Sequence, residues 1–578
     1  MGKLILAVHS GGHDAAAAVF EDYRLRAAVQ LERLTRHKGD GREHPDRAMD
    51  EVLSIVGANR RDVDIAVFSR TEFPTQFYRT IRGVRRIREL YRKYVEKRTR
   101  RFMPPEFQRY ATTRIDDIVN IRKFRCASGF RGDTHVYFHN HHEAHALAAL
   151  FYTEWDDALL VTADAGGDTV NYSHRHLANE TLATIYGGEE CLLTPRPTDS
   201  LGYAYMAMTA ALGFIPLRHE GKLTGLAAFG KPVLAEKIGA RFCVDGEGRV
   251  FSDFSDYLEM DRFIRSLAAG VSREDAAASI QQALENIMLL SVGRLLDRHK
   301  ARRLALAGGV FANVRLNREL AERLPIDEIF IFPAMGDEGL PVGGALCYLL
   351  QRDGVSHWLK QRHRLRDVYL GRDYSDSIDA TLKASERVRC TGEPPIPGAA
   401  RRLNAGELGA IYTGRMEYGP RALGARSILA NPSRRETHDL LNSRLARSEF
   451  MPFAPVIAAD KATSVFDITT VNAYACRFMT MTCNVKPEWR QRIPAVVHLD
   501  GSARPQTIER ETNPLYYDIL AAFEHESGLP VLVNTSFNVH EEPIVNRPSE
   551  SLQALLDGRI DFIVTERAIY ERKELDRA

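Results

Sequence analysis

Cysteine, tryptophan and net charge are all scarce in this chain. Its 578 residues include seven cysteines and three tryptophans. The cysteines are odd in number, widely scattered and free of any C-x-x-C pair, which excludes a zinc ribbon and a disulfide framework and suits a reducing cytoplasm. With 78 basic against 76 acidic residues the net charge is +2, so coating nucleic acid is not its main business. Long apolar runs are absent too. The longest uncharged stretch, 200–217, is broken by Gly202, Gly213 and Pro216 and reads as a buried core segment rather than a membrane span. The apolar run 4–8 is too short for the core of a signal peptide, so a soluble, cytoplasmic protein is expected. Neither a Walker A lysine nor a dinucleotide fingerprint occurs, which removes P-loop enzymes and dehydrogenases. No internal repeat or low-complexity tract is evident. A hydrophobic share of 44% and a charged share of 27% are ordinary for globular chains, and the length allows two to four folding units.

Short apolar runs that end in Gly-, Asp- or Asn-rich turns mark buried strands delivering loops to a site. Residues 4–8 lead into His9-Ser10-Gly11-Gly12-His13-Asp14, and 159–163 into Asp164-Ala165-Gly166-Gly167-Asp168. Residues 304–307 lead into Gly308-Gly309-Val310-Phe311-Ala312-Asn313, and 329–332 into Pro333-Ala334-Met335-Gly336-Asp337. A helical pattern over 276–299 lies between them, so the first half is α/β. The charged stretch 362–376 reads as a loop and a domain boundary, separating 1–365 from a mixed α/β unit at 366–578. Residues 79–101 carry eleven Arg/Lys against Glu89 and Glu96, a local charge of +9. An amphipathic helix with a solvated basic face explains this segment. The sharper alternative is a clamp for an anionic substrate or RNA.

The densest chemical signal in the first half is His141-His142-Glu143-Ala144-His145. On a helix, His141 and His145 share a face and can present two imidazoles to one metal. Glutamate stands at the third position, unlike the zincin H-E-x-x-H, so metalloprotease chemistry is disfavoured. Ordinary hydrogen-bonded histidines are the alternative. Asp164 and Asp337, each ending a strand beside glycines, extend the pair to a two-His, two-Asp shell suited to Fe(II), Mn(II), Mg(II) or Zn(II). Capping of a turn or helix is the alternative for each aspartate. Glycines 166, 167, 308 and 309, with Asn313, form turns whose N–H groups can meet a nucleotide phosphate. In the second half, residues 414–427 place Arg415, Arg421 and Arg426 among glycines, a loop fitted to phosphate or carboxyphosphate.

Taken in order, these motifs resemble the NodU/CmcH-type O-carbamoyltransferases. The resemblance runs through His13-Asp14-Ala15, ERLTR at 32–36, HHEAH at 141–145, EGKLTGL at 220–226, AGGV at 307–310 and GDEG at 336–339. It continues through GRMEYGPRALGARSIL at 414–429, HLDGSARPQT at 498–507 and NTSFN at 534–538. It implies an α/β architecture with a two-lobed, actin-like (ASKHA-type) N-terminal domain and a YrdC-like C-terminal domain. The implied reaction makes carbamoyl-adenylate from carbamoyl phosphate and ATP, then passes the carbamoyl group to a hydroxyl of a small molecule, as in antibiotic and other secondary-metabolite biosynthesis. His141, His145, Asp164 and Asp337 match metal ligands, with Fe(II) the implied ion. His13 matches the base on the acceptor hydroxyl, and Lys222 joins it in the catalytic set. Arg421, Arg426, Arg447, Arg504, Asn534 and Ser536 match positions for carbamoyl phosphate or ATP. Met451 stands where the family has an arginine, and Arg444 or Arg447 can supply the charge. Expected partners are carbamoyl phosphate, ATP and an alcohol acceptor, with a homodimer allowed, no membrane, and nucleic acid disfavoured. The runner-up is a tRNA threonylcarbamoyladenosine-type enzyme that uses residues 79–101 to hold RNA.

Overall fold

The computed structural model describes residues 2–70, 73–77, 79, 119–168, 170–188, 191, 198–446 and 452–573. Arg447, Met451 and the basic segment 79–101, apart from Arg79, lie outside the described residues. Strands β1 (Leu4–His9), β2 (Ala16–Glu21), β3 (Arg24–Gln30), β4 (Ile65–Ser69) and β5 (His135–His139) form one sheet in the order β3-β2-β1-β4-β5. Next come β6 (Ala158–Gly167), β7 (Val170–Ala178), β8 (Thr181–Tyr186), a hairpin of β9 (Phe242–Val244) and β10 (Val250–Ser252), then β11 (Arg303–Ala307) and β12 (Glu328–Ile331). The second sheet has the order β12-β11-β6-β7-β8. In both sheets the first three strands are antiparallel neighbours, and the last two continue in parallel from the first. One five-strand plan therefore occurs twice, although the sequence shows no repeat. What recurs is the order and sense of the strands, not the residues.

Alternation along the strands assigns the layers. Ile5 and Ala7 of β1 share a core with Leu160 of β6, Ala305 of β11 and the helices His141–Phe151 and Leu340–Asp353. Leu6 and Val8 point the other way, onto the helix Asp46–Ile55. Leu159, Val161, Leu304 and Leu306 cover the far face of the second sheet with helices Leu201–Ala211 and Arg273–His299. Strands buried on both faces explain the near-continuous apolar runs that the sequence shows. The two central helices meet at close range because Gly343 has no side chain. A Cβ there would lie 1.9 Å from the Ala144 carbonyl oxygen.

The second half contributes a mixed eight-stranded sheet. Its spatial order is Val388–Cys390, Ile569–Arg572, Phe562–Val564, Gly409–Tyr412, Arg426–Ala430, Val531–Ser536, Ala454–Ala458 and Gln506–Ile508. The stretch expected to be a loop boundary, 362–376, instead contains the strand Tyr369–Asp373, paired with Arg415–Glu417. From this strand Arg372 reaches back to Glu51 at 2.6 Å, tying the halves together. Residues 200–217, expected in the core, form the helix Leu201–Ala211 and its exit. Among the described residues no helix is long and apolar enough to cross a membrane.

The contact at Gly343 generates a stability prediction. Gly343→Ala overpacks the crossing of the two central helices, which costs roughly 1–3 kcal/mol. A lowered denaturant midpoint with an unchanged slope is expected. An unaltered midpoint would show that the helices part freely.

Candidate metal centre and anion cavity

The first sheet ends at His139, and Asn140 caps the next helix by accepting the Glu143 N–H at 3.0 Å. His141 and His145 then lie one turn apart on the same face. Asp164 comes late in β6, and Asp337 opens the turn before helix Leu340–Asp353. The ligand atoms of these four residues all lie within 4.8 Å of one another. His141 Nε2 is 3.9 Å from Asp164 Oδ2 and 3.6 Å from Asp337 Oδ1, and His145 Nε2 is 3.5 and 3.6 Å from the same two atoms. A divalent ion with bonds of about 2.0–2.2 Å holds its ligands about 3.0–3.4 Å apart, so a small contraction closes the shell.

The electrostatics of the group fit a cation. Neither His141 Nε2 nor His145 Nε2 has a hydrogen-bond partner among the described residues, although both atoms are buried. Buried polar atoms are normally satisfied, so two imidazole nitrogens facing two carboxylates point to an ion between them. Burial opposes charge on His141, yet Asp337 and Asp164 lift its pKa to about 9. Burial likewise opposes ionisation of the two aspartates, and the histidines overcome it, holding both carboxyls well below their usual range.

The supports of this cage explain several glycines. Asp164 accepts hydrogen bonds from Ala165 N–H at 2.7 Å and Gly309 N–H at 3.0 Å. Gly308, at φ 103°, abuts the Ala163 carbonyl, where a Cβ would come within 2.2 Å. At Gly167 a Cβ would strike the His141 ring at 2.2 Å. Gly166 faces Asn171, and Asn313 caps the helix Val314–Arg323 while bonding Gln281 at 2.8 Å. Gly167 and Gly309, expected to meet a nucleotide, also border the cage ligands His141 and Asp164. Sequence reasoning passed over Asp168, whose Oδ2 accepts from the His141 N–H at 2.9 Å and from Arg70 Nε at 2.8 Å. It also passed over Asp14, which lies 2.9 Å from His13 Nδ1 and leaves Nε2 facing the cage, 3.8 Å from Asp337 Oδ2. Burial works against a charged His13, but Asp14 and Asp337 raise its pKa to about 10.

A cavity of about 260 Å³ lies where the two halves meet. Lys38, Arg218 and Lys222 line it from the first half, and Arg421, Arg504, Asn534 and Ser536 from the second. Register explains the second set, because Leu429 pairs with Asn534 and Val456 pairs with both Leu532 and Gln506. Asn534 Nδ2 donates to the Ala422 carbonyl at 3.1 Å and to Gln506 at 2.6 Å, and the Ser536 hydroxyl bonds Asn538 at 2.7 Å. Lys222 Nζ is 3.3 Å from His540 Nε2. Arg426 lies elsewhere: it is fully buried, stacks 3.7 Å from the Tyr412 ring and donates to the Thr413, Ala425 and Gly414 carbonyls. Arg444 likewise turns away, to Gly558 and Asp561.

His219, His540 and Glu541, at the rim, form a second trio with metal-capable atoms close together. The surroundings oppose a cation there. His219 Nδ1 accepts the Ile215 N–H at 3.1 Å, so Nε2 carries the proton and donates to Glu541 at 2.8 Å. Arg218 adds a positive charge 3.4 Å from Glu541. Lys38, Arg218, Lys222, Arg421 and Arg504 outnumber the one carboxylate, Glu541, in the cavity lining.

The Arg70–Asp168 pair fixes the N-terminus of the histidine helix from within the protein, both side chains being 1% exposed. Asp168→Asn keeps the shape but removes the charge facing Arg70. A loss of about 3–5 kcal/mol is expected in denaturant unfolding. A loss under 1 kcal/mol would show that the pair does not hold the helix.

Comparison with known proteins follows this geometry. The family model described as "Carbamoyltransferase N-terminus" matches residues 4–346, and "Carbamoyltransferase C-terminus" matches 400–572. The first contains the whole cage and the second the C-terminal wall of the cavity. Nodulation protein NolNO of Sinorhizobium fredii is 30% identical over 96% of this chain and 78% of its own length. Nodulation protein NolO of Bradyrhizobium diazoefficiens is 32% identical over 74% of this chain and 77% of its own. Full-length HypF in its phosphate- and nucleotide-bound form matches 61% of this chain and 47% of that chain at 13% identity, with a TM-score of 0.33, too slight a likeness to bear on the site. The chain belongs to the carbamoyltransferase family, and the protein is a carbamoyltransferase enzyme.

Proposed function

We propose that the protein is an ATP-dependent O-carbamoyltransferase acting on a hydroxyl of a small molecule. In this reading the second half is a YrdC-like unit in which one water splits carbamoyl phosphate into carbamate and phosphate, and a carbamate oxygen attacks the α-phosphorus of ATP, giving carbamoyl-adenylate and releasing pyrophosphate. The acceptor hydroxyl then attacks the carbamoyl carbon, the carbamoyl–phosphate oxygen bond breaks, and AMP leaves. The observation that carries the proposal is the cavity, in which two lysines and an arginine of the N-terminal matched segment meet two arginines of the C-terminal one. Arginine forks suit the phosphate groups of carbamoyl phosphate and ATP, and enclosure at the junction of the halves shelters a water-labile adenylate.

The residues of the cage divide the transfer chemistry. His13, 37% exposed, is open to an incoming alcohol, while Asp14 fixes its ring so that Nε2 can take the hydroxyl proton. His141, His145, Asp164 and Asp337 would hold a divalent ion, which would polarise the carbamoyl group and offset the Asp337 charge, second to Asp14 in raising the His13 pKa. Lys222, 3.3 Å from His540, lines the cavity from the EGKLTGL helix, where it can hold the adenylate phosphate.

Two measurements test this division. His13→Asn leaves pyrophosphate release from ATP and carbamoyl phosphate nearly intact but cuts transfer about 10²–10⁴-fold. Arg421→Ala abolishes pyrophosphate release while still using chemically supplied carbamoyl-adenylate. Loss of pyrophosphate release in His13→Asn, or of transfer from supplied adenylate in Arg421→Ala, overturns the assignment. In the second, purified wild type carries about one divalent ion per chain by elemental analysis, and the His141→Ala/His145→Ala double variant carries none. Equal contents would refute the metal site.

A further inference from the structure

One buried imidazole beside the cage has no role in the chemistry above. His9, the last residue of β1, is 0% exposed, and neither of its ring nitrogens has a hydrogen-bond partner among the described residues. Leaving a buried polar group unsatisfied costs about 1–3 kcal/mol, so a chain that keeps one uses it. The nearest charged atom recorded for it is Asp337 Oδ2, 3.6 Å from His9 Nε2. Asp337 therefore faces two ways. Its Oδ1 looks at His141 and His145, and its Oδ2 looks at His9 and, at 3.8 Å, at His13.

The chain also reserves the space for this ring. A Cβ on Gly11 would lie 2.2 Å from His9 Nε2 and 2.6 Å from its Cε1, so any other residue at 11 would push the imidazole off Asp337. The neighbouring Gly12 has open space around its missing Cβ, so the two glycines differ in kind.

We propose that His9 is a positioning residue whose Nε2–H donates to Asp337 Oδ2, aiming Oδ1 into the cage and keeping Oδ2 from claiming His13 Nε2. Hydrogen bonds at unliganded sites are often long and tighten on loading, and 3.6 Å is one small side-chain adjustment from a bond. Metal-binding carboxylates are commonly oriented by such an outer partner, whose removal costs about 10–100-fold in metal affinity. Any alternative donor to Oδ2 would be His13, and a His13 bound in that way could not take a proton from an alcohol. The inference rests on the proposed metal site.

The test uses full-length, metal-free protein titrated with Co(II) against a competing chelator, with the cobalt absorption spectrum recorded at saturation. His9→Phe is expected to bind Co(II) about 10–100-fold more weakly than wild type and with an altered spectrum. Its metal-free thermal midpoint should equal or exceed that of wild type, because an apolar ring replaces an unsatisfied one. His9→Gln, which can return an N–H to the same place, should recover most of the affinity and the wild-type spectrum. Gly11→Ala leaves His9 in the sequence but displaces its ring, and should behave like His9→Phe. Wild-type affinity and spectrum in both His9→Phe and Gly11→Ala would overturn the role of His9 while leaving the metal site intact. A wild-type protein that takes up no cobalt would overturn the metal site and, with it, this inference.

Discussion

Two carboxylates buried against two imidazoles form the arrangement on which the rest of this protein depends. Asp164 and Asp337 sit in an interior where unpaired charge costs several kcal/mol per ion, and the hydrogen bonds recorded for Asp164 come from backbone N–H groups alone. The four ligands come from separate places in the chain: the helix after the first sheet, the end of β6, and the turn after β12. Bringing them within 4.8 Å requires both five-stranded sheets and the two helices between them to pack as one body. This explains the close backbone approaches at Gly167, Gly308 and Gly343, each of which leaves no room for a Cβ.

The second constraint is the joint between the halves. Arg33, 2% exposed, donates to the Gly419 carbonyl at 2.8 Å and to Gln30 at 3.1 Å, while Gly419 N–H donates back to Gln30. Arg36 donates to the Ile544 and Pro543 carbonyls, both at 2.7 Å, and Tyr418 donates to the Glu338 carbonyl, one residue from Asp337. The loop that carries Arg421 is therefore anchored on the ERLTR segment and on the metal-side turn. An arginine loop fixed in this way presents its charge to the cavity with little further ordering, which is what tight binding of a small anion needs.

Much of this was legible in the sequence for identifiable reasons. Apolar runs flanked by glycines anticipated β1, β6, β11 and β12, because strands covered on both faces need no polar alternation. The four-residue spacing of His141 and His145 anticipated a shared helix face. The doubled sheet left no repeat of residues to read and was foreseen only through the resemblance to a two-lobed, actin-like domain. Arg426 shows the limit of reading arginine among glycines as an anion site. It shares a loop with Arg421, but both its terminal nitrogens donate to backbone carbonyls and its face lies on Tyr412. Gly309 and Asn313 also serve the fold, the one donating its N–H to Asp164 and the other capping a helix. Asp14, Asp168 and His9 stand in the turns that the sequence marks, but nothing in their spacing gave any of them a role. Their roles arise from partners 1, 27 and 328 residues away, or from a charge buried among neighbours, and only the fold brings these together.

The central claim is that the His141, His145, Asp164 and Asp337 cage holds a divalent cation. Its most direct test is anomalous diffraction from crystals of the full-length protein grown with Mn(II) or Co(II). A strong peak is expected at about 2.0–2.3 Å from His141 Nε2, His145 Nε2, an Asp164 oxygen and an Asp337 oxygen. A cage without a peak, or an ion found at His219, His540 and Glu541 instead, would contradict it.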